Sequence, residues 1–119
     1  VKHFKFTPRG KKRIHQKPNA REVEHCRWWL DRELALIQPK LVVALGGTAA
    51  RAITGKDVKI TQMRGRTVTL RDGLSVLFTV HPSYLLRLPD AAAEAAEYRH
   101  FVEDLALVPR ALPAIAKAA

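Results

Sequence analysis

Two histidines stand in sequence contexts that could do chemistry. His15 lies inside Arg9-Gly10-Lys11-Lys12-Arg13-Ile14-His15-Gln16-Lys17-Pro18, and His81 follows an apolar run and opens His81-Pro82-Ser83-Tyr84-Leu85-Leu86-Arg87. An imidazole can attack an electrophilic carbon, move a proton, or hydrogen-bond a developing anion. From Val1 to Asn19 there are seven cations (Lys2, Lys5, Arg9, Lys11, Lys12, Arg13 and Lys17) and no acid. A surface of that kind is suited to an anion, and a polyanionic backbone is the obvious one. A solvated loop or a localisation-type basic run has the same composition. The other histidines, His3, His25 and His100, are in less pointed settings, and Cys26 is the sole thiol.

The composition favours the same partner. The 119 residues carry 21 Lys and Arg against 11 Asp and Glu, a formal net charge of +10, with 47% hydrophobic residues. That is enough chain and apolar content for one core. The charge favours nucleic acid over acidic proteins, with a ribosomal-type or membrane-surface protein as alternatives. One cysteine excludes an internal disulfide framework and suits a reducing compartment. No apolar stretch approaches the roughly 20 residues that span a bilayer. The expectation is a soluble cytoplasmic protein, monomeric and without a membrane partner. Val1 to Phe6 reads as the end of a strand already under way, so sequence is expected upstream.

The elements that must position the two histidines follow from spacing. Residues 9–18 read as a basic loop. Asn19 and Glu22 form a capping-box signature, and Val23, Cys26, Leu30, Leu34 and Ile37 recur at helical spacing until Pro39 stops the helix. Trp28 and Trp29 fall at the edge of that face. Leu41-Val-Val-Ala-Leu45 is a short apolar strand, ended by Gly46-Gly47 and followed by a short helix over residues 48–53. A strand, a glycine turn and a helix N-terminus can approach a phosphate or a base, although a tight turn alone explains both glycines. Residues 56–66 read as an irregular basic connection. Residues 67–70 and 74–80 are two strands joined through Asp72-Gly73, the second more apolar and more central. His81 therefore stands at the carboxyl end of a buried strand, where open α/β sheets bind ligands. A helix from Pro89-Asp90 to about Leu107 presents Tyr98, Phe101, Val102 and Leu105 to the sheet, and residues 109–119 form a tail. The fold class is α/β: a three-layer α/β/α arrangement with a mostly parallel central sheet.

The motifs together resemble a known family. His81-Pro-Ser-Tyr-Leu-Leu-Arg87 resembles the His-Pro-Ser motif of the uracil-DNA glycosylase superfamily. Cys26 to Leu45, with Pro39-Lys-Leu-Val-Val-Ala-Leu-Gly46, is similar to its iron-sulfur branch, and Lys11-Lys-Arg-Ile-His15 resembles the Lys-Arg-Arg-Ile-His insertion of the UdgX group. Lys12 stands where that insertion has Arg, which keeps the charge but loses a bidentate contact. The resemblance covers residues 1–108, read as the carboxyl-terminal part of a single glycosylase domain whose N-terminal portion would supply the acidic, base-stacking and uracil-reading motifs.

The resemblance implies excision of uracil from DNA in bacterial base-excision repair, a nucleoid-associated activity, with free uracil as product and a flipped nucleotide as substrate. It implies that His81 stabilises the leaving uracil anion, and that His15 attacks the sugar's anomeric carbon, linking the protein covalently to the abasic site. Lys11, Lys12, Arg13, Ser83 and Arg87 would meet phosphates, and Tyr84, Leu85 and Leu86 would enter the duplex. It also implies a [4Fe-4S] cluster held by Cys26, by His3 in place of a family cysteine, and by two cysteines outside this chain. By spacing alone, Cys26 equally suits a buried apolar position. Two other readings stand beside this one: a glycosylase that turns over with water as nucleophile, and a basic nucleic-acid-binding module without chemistry.

Overall fold

A computed structural model describes residues 5–118 and divides the chain into two compact units, Val1–Gln38 and Pro39–Ala119. Residues 1–4, on which the expected strand end and His3 fall, lie outside the described residues.

In the first unit the expected basic loop is a β-hairpin. β1 (Phe6–Arg9) pairs antiparallel with β2 (Lys12–His15), and the ladder is extended by Gln16 N–H donating to the Lys5 carbonyl at 2.8 Å. The two-residue connection is Gly10-Lys11, with Gly10 at φ +59. Glycine at the first position of such a turn matches the twist of the flanking strands. All eight strand residues are exposed, so there is no apolar-polar alternation to betray a strand.

α1 (Ala20–Ile37) follows the hairpin and starts as its sequence predicts. The Asn19 side chain accepts from the Glu22 amide at 2.9 Å, and the Glu22 carboxylate accepts from the Asn19 amide at 2.7 Å. That carboxylate also takes Lys5 Nζ at 2.9 Å, which ties the base of the hairpin to the first turn of α1. At the far end Gln38 adopts φ 49 and its amide closes on Leu34. Pro39 cannot extend the helix. Val23 and Cys26 are buried, Leu30 and Leu34 half-buried, and Ile37 is 72% exposed, so the inward face ends a turn earlier than expected.

The second unit contains a three-stranded sheet ordered β3-β5-β4: β3 (Val42–Leu45), β4 (Arg66–Thr69) and β5 (Ser75–Thr79). β5 is central, and all five of its residues are buried. Burying Val76, Leu77 and Phe78 contributes about 1.5–3 kcal/mol each. β3 runs parallel to β5 and β4 antiparallel. The α/β class stands, and among the described strands the sheet is mixed rather than mostly parallel. The antiparallel pairing follows from the Arg71-Asp72-Gly73 connection, where the Leu74 amide bonds Asp72 Oδ1 and Gly73 takes φ +83.

α2 (Gly46–Thr54) begins two residues earlier than expected and closes on Gly55. The basic connection holds a single turn, α3 (Ile60–Met63), and another turn, α4 (Pro82–Leu85), follows β5. α5 (Ala91–Ala106) is capped by Asp90, whose carboxylate accepts from the Ala93 amide at 2.7 Å. Phe101 and Leu105 of its expected inner face are half-buried, whereas Tyr98 and Val102 are exposed. Glu97 and Asp104 take the inward positions because Arg64 draws them there, with Nη1 to Glu97 at 2.6 Å and Nε to Asp104 at 2.9 Å. The expected tail is helical, as α6 (Val108–Ala118). Among the described residues no helix is long and apolar enough to cross a membrane.

Candidate functional site

His81 is the better-built of the two chemical histidines. β3 and β5 run parallel with Leu45 level with Thr79, so their carboxyl ends deliver Gly46 and His81 to the same edge of the sheet. The two touch: a Cβ built on Gly46 would lie 3.1 Å from His81 Cβ, and Gly46 holds φ +84. Glycine is therefore required twice at this position, for its backbone angle and for the space. Thr79, the last residue of β5, is anchored by its hydroxyl donating to Asp104 at 2.6 Å, and Asp104 is itself held by Arg64. Burial works against the Arg64 charge, but Glu97 and Asp104 together outweigh it and hold the guanidinium's pKa above its ordinary value.

The His81 ring is oriented by the turn it starts. His81 is the N-cap of α4, and its Nδ1 accepts the Ser83 amide at 3.1 Å and lies 2.9 Å from the Ser83 hydroxyl. A nitrogen that accepts an amide proton carries none of its own, so the neutral ring holds its proton on Nε2. The result is an exposed imidazole on a rigid strand end, presenting an Nε2–H donor. In this structure both the amide and the hydroxyl of Ser83 face His81 Nδ1. Leu85 departs from expectation: it is 7% exposed. A side chain packed that far inside cannot enter a duplex without unfolding the turn. Leu86, at 80% exposure, and Tyr84, at 37%, are the accessible pair, and Arg87 is exposed beside them.

His15 occupies the last position of β2 in the other unit. The register sets Phe6 opposite His15 and Pro8 opposite Arg13 on one face, with Thr7 opposite Ile14 and Arg9 opposite Lys12 on the other. Arg13 Cζ lies 4.9 Å from the centre of the Phe6 ring, a cation–π contact. Arg9 facing Lys12 puts like charges directly across a ladder, which is unfavourable by itself and is relieved by an anion. Lys11, Lys12 and Arg13 are all exposed. The contributions of Phe6, Gly46, Thr79 and Asp104 were not apparent from sequence. Only Gly46 carried a signal, its place in the glycine pair.

Cys26 is buried on α1 and forms no disulfide. Among the described residues no group of three or more His, Cys, Asp or Glu could hold a metal ion. The described residues thus do not fit a four-iron cluster by themselves; Cys26 is one thiol, and His3 lies outside them.

The chain belongs to the uracil DNA glycosylase superfamily, whose family model matches residues 1–106. It is similar to the type-4 uracil-DNA glycosylase of Thermotoga maritima, at 41% identity over 71 residues, covering 59% of this chain and 37% of the relative. The type-4 enzyme of Pyrobaculum aerophilum is 31% identical over 99 residues, covering 76% and 46%, and that of Sulfurisphaera tokodaii 28% identical over 100 residues, covering 78% and 46%. These type-4 relatives agree with the branch expected from the sequence. The chain spans less than half the length of these curated relatives.

Proposed function

We propose that this chain is part of a DNA repair enzyme that excises uracil from a flipped-out deoxyuridine and then becomes joined to the abasic site through His15. The observation that carries the reading is the Ser83 amide on His81 Nδ1, within a chain that belongs to the uracil DNA glycosylase superfamily. As the C1′–N1 bond breaks, its electron pair leaves with uracil and negative charge collects on the uracil oxygen. The His81 Nε2–H is the donor for that oxygen, and a donor fixed in advance stabilises charge that develops late. The sugar is left electron-poor at C1′. A lone pair on the His15 ring forms the new C–N bond there, the ring's proton passes to solvent, and the uracil anion takes a proton from water. An imidazole–sugar bond is a poor one to hydrolyse, and in this reading the adduct persists.

Lys11, Lys12, Arg13 and Arg87 serve as phosphate contacts, with Tyr84 and Leu86 at the vacated base position. The acidic, base-stacking and uracil-reading groups are assigned to the N-terminal portion of the same protein. Cys26 is assigned as one ligand of a structural [4Fe-4S] cluster, with the other ligands outside the described residues, and the setting is bacterial cytoplasm.

The test mixes the intact protein with a uracil-containing oligonucleotide and resolves it on a denaturing gel beside His15→Ser and His81→Ala. The expected result is a heat-stable adduct, lost in His15→Ser while uracil is still released, with release itself impaired in His81→Ala. Uracil release without any adduct leaves a turnover glycosylase; neither event leaves a nucleic-acid-binding module.

A further inference from the structure

Phe6 occupies a place in the hairpin that the roles above do not use. It stands directly across the ladder from His15, and its ring carries the Arg13 guanidinium 4.9 Å above its centre. Residues directly opposite on an antiparallel pair have Cβ atoms about 4.5–5.5 Å apart, within reach of an aromatic ring. Phe6, Arg13 and His15 therefore form one cluster on one face of the hairpin, with Pro8 beside them.

The hairpin gives this cluster unusual weight. A two-stranded ribbon is marginal by itself, and this one is tied at its base by Lys5 to Glu22. What the ladder itself sets opposite the imidazole is the Phe6 ring. Phe6 is also only 37% exposed, the lower end for this surface. A guanidinium lying over a ring keeps its N–H donors at the periphery, free to meet a planar or tetrahedral anion.

Resting on the covalent reading of His15, we infer that Phe6 is a positioning residue: its ring sets the orientation of the His15 imidazole and holds the Arg13 guanidinium on the same face of the hairpin, so that phosphate capture and attack on C1′ occur from one preorganised face. Phe6 itself touches no reacting atom. Its contribution concerns bond formation by His15 and leaves departure of uracil to His81.

The experiment uses the intact protein and a uracil-containing oligonucleotide in single turnover, following free uracil and covalent adduct separately. In Phe6→Leu, which keeps apolar bulk and loses the ring, adduct formation slows by about tenfold or more, the order expected when a reacting group is misplaced by a fraction of an ångström. With protein in saturating excess, so that a weakened Arg13 phosphate contact does not limit binding, uracil release falls far less than adduct formation, and the product shifts from adduct to free abasic DNA. Phe6→Trp restores the adduct because it restores an aromatic face. In the DNA-free protein, the His15 ring protons, assigned by comparison with His15→Ser, shift in Phe6→Leu through loss of the ring current, while the Gln16 amide keeps its hydrogen-bonded position.

An unchanged adduct rate in Phe6→Leu overturns the positioning role while wild-type adduct keeps the covalent reading. Equal losses in uracil release and adduct also overturn it, since that pattern belongs to general damage. If Phe6→Leu melts the hairpin, Phe6→Trp decides: a folded Trp variant with wild-type adduct supports the role, and one without adduct overturns it. Absence of adduct from the wild type overturns the covalent reading itself, and the positioning role with it.

Discussion

Replacing Gly46 by Ala separates backbone strain from crowding of His81, because Gly73 supplies a matched control. The two glycines hold nearly the same backbone angle, φ +84 and +83. An L side chain in that left-handed region costs about 1–2 kcal/mol. At Gly73 the cost stops there, since a new methyl would meet nothing within 4 Å. At Gly46 the methyl arrives 3.1 Å from His81 Cβ and 3.7 Å from its amide nitrogen, so the strand end and the glycine turn must part. Overpacking of that kind costs about 1–3 kcal/mol more. Urea unfolding of the intact protein should therefore place Gly46→Ala below Gly73→Ala by that margin. The functional difference should be larger: a shift of the His81 ring lowers uracil release by about 10- to 100-fold, whereas Gly73→Ala leaves it unchanged. Equal destabilisation by the two substitutions would refute the crowding. Extra destabilisation with undiminished release would refute the claim that this contact sets His81.

Asp104→Asn should destabilise the fold by about 2–4 kcal/mol, because it strips one of two carboxylates from a largely buried guanidinium; thermal unfolding reads this, and the drop should shrink when Arg64→Met is combined with it. Glu22 has its pKa held below the ordinary 4.5, first by the Asn19 amide and then by Lys5. Its contribution to stability is therefore complete above that value and fades as pH falls through the lowered one; a Glu22 carboxyl titration by NMR should show the depressed midpoint, and Lys5→Met should raise it. Cys26→Ala in the intact protein should abolish visible iron-sulfur absorbance, and retention of the colour would remove Cys26 from the ligand set.

Local hydrogen bonding made much of this chain legible. The Asn19 and Glu22 box closes within three residues, and the Asp72-Gly73 turn and the apolar run into His81 are equally local. The hairpin escaped because its strands are short, charged and wholly exposed, so a ladder and a basic loop have the same composition. Arg64 was hidden among the cations of residues 56–66; what distinguishes it is a pair of carboxylates 33 and 40 residues further on. Leu85 and Leu86 are indistinguishable as letters, and only the direction of one helical turn sends the first inward and the second out. Tyr98 and Val102 were assigned inward by helical spacing, but the part-buried ion pairs of Arg64 hold Glu97 and Asp104 on that side.

The Gly10-Lys11 connection also limits how this chain can vary by descent. Along a strand, side chains alternate between faces, so one residue inserted or lost between the connection and His15 would carry the histidine to the Arg9 and Lys12 side, away from Phe6. Two residues would bring it back. Natural length changes in β2 should therefore obey parity, with even steps tolerated and odd ones purged, and a survey of insertions in related hairpins would expose that counting rule without any assay of activity.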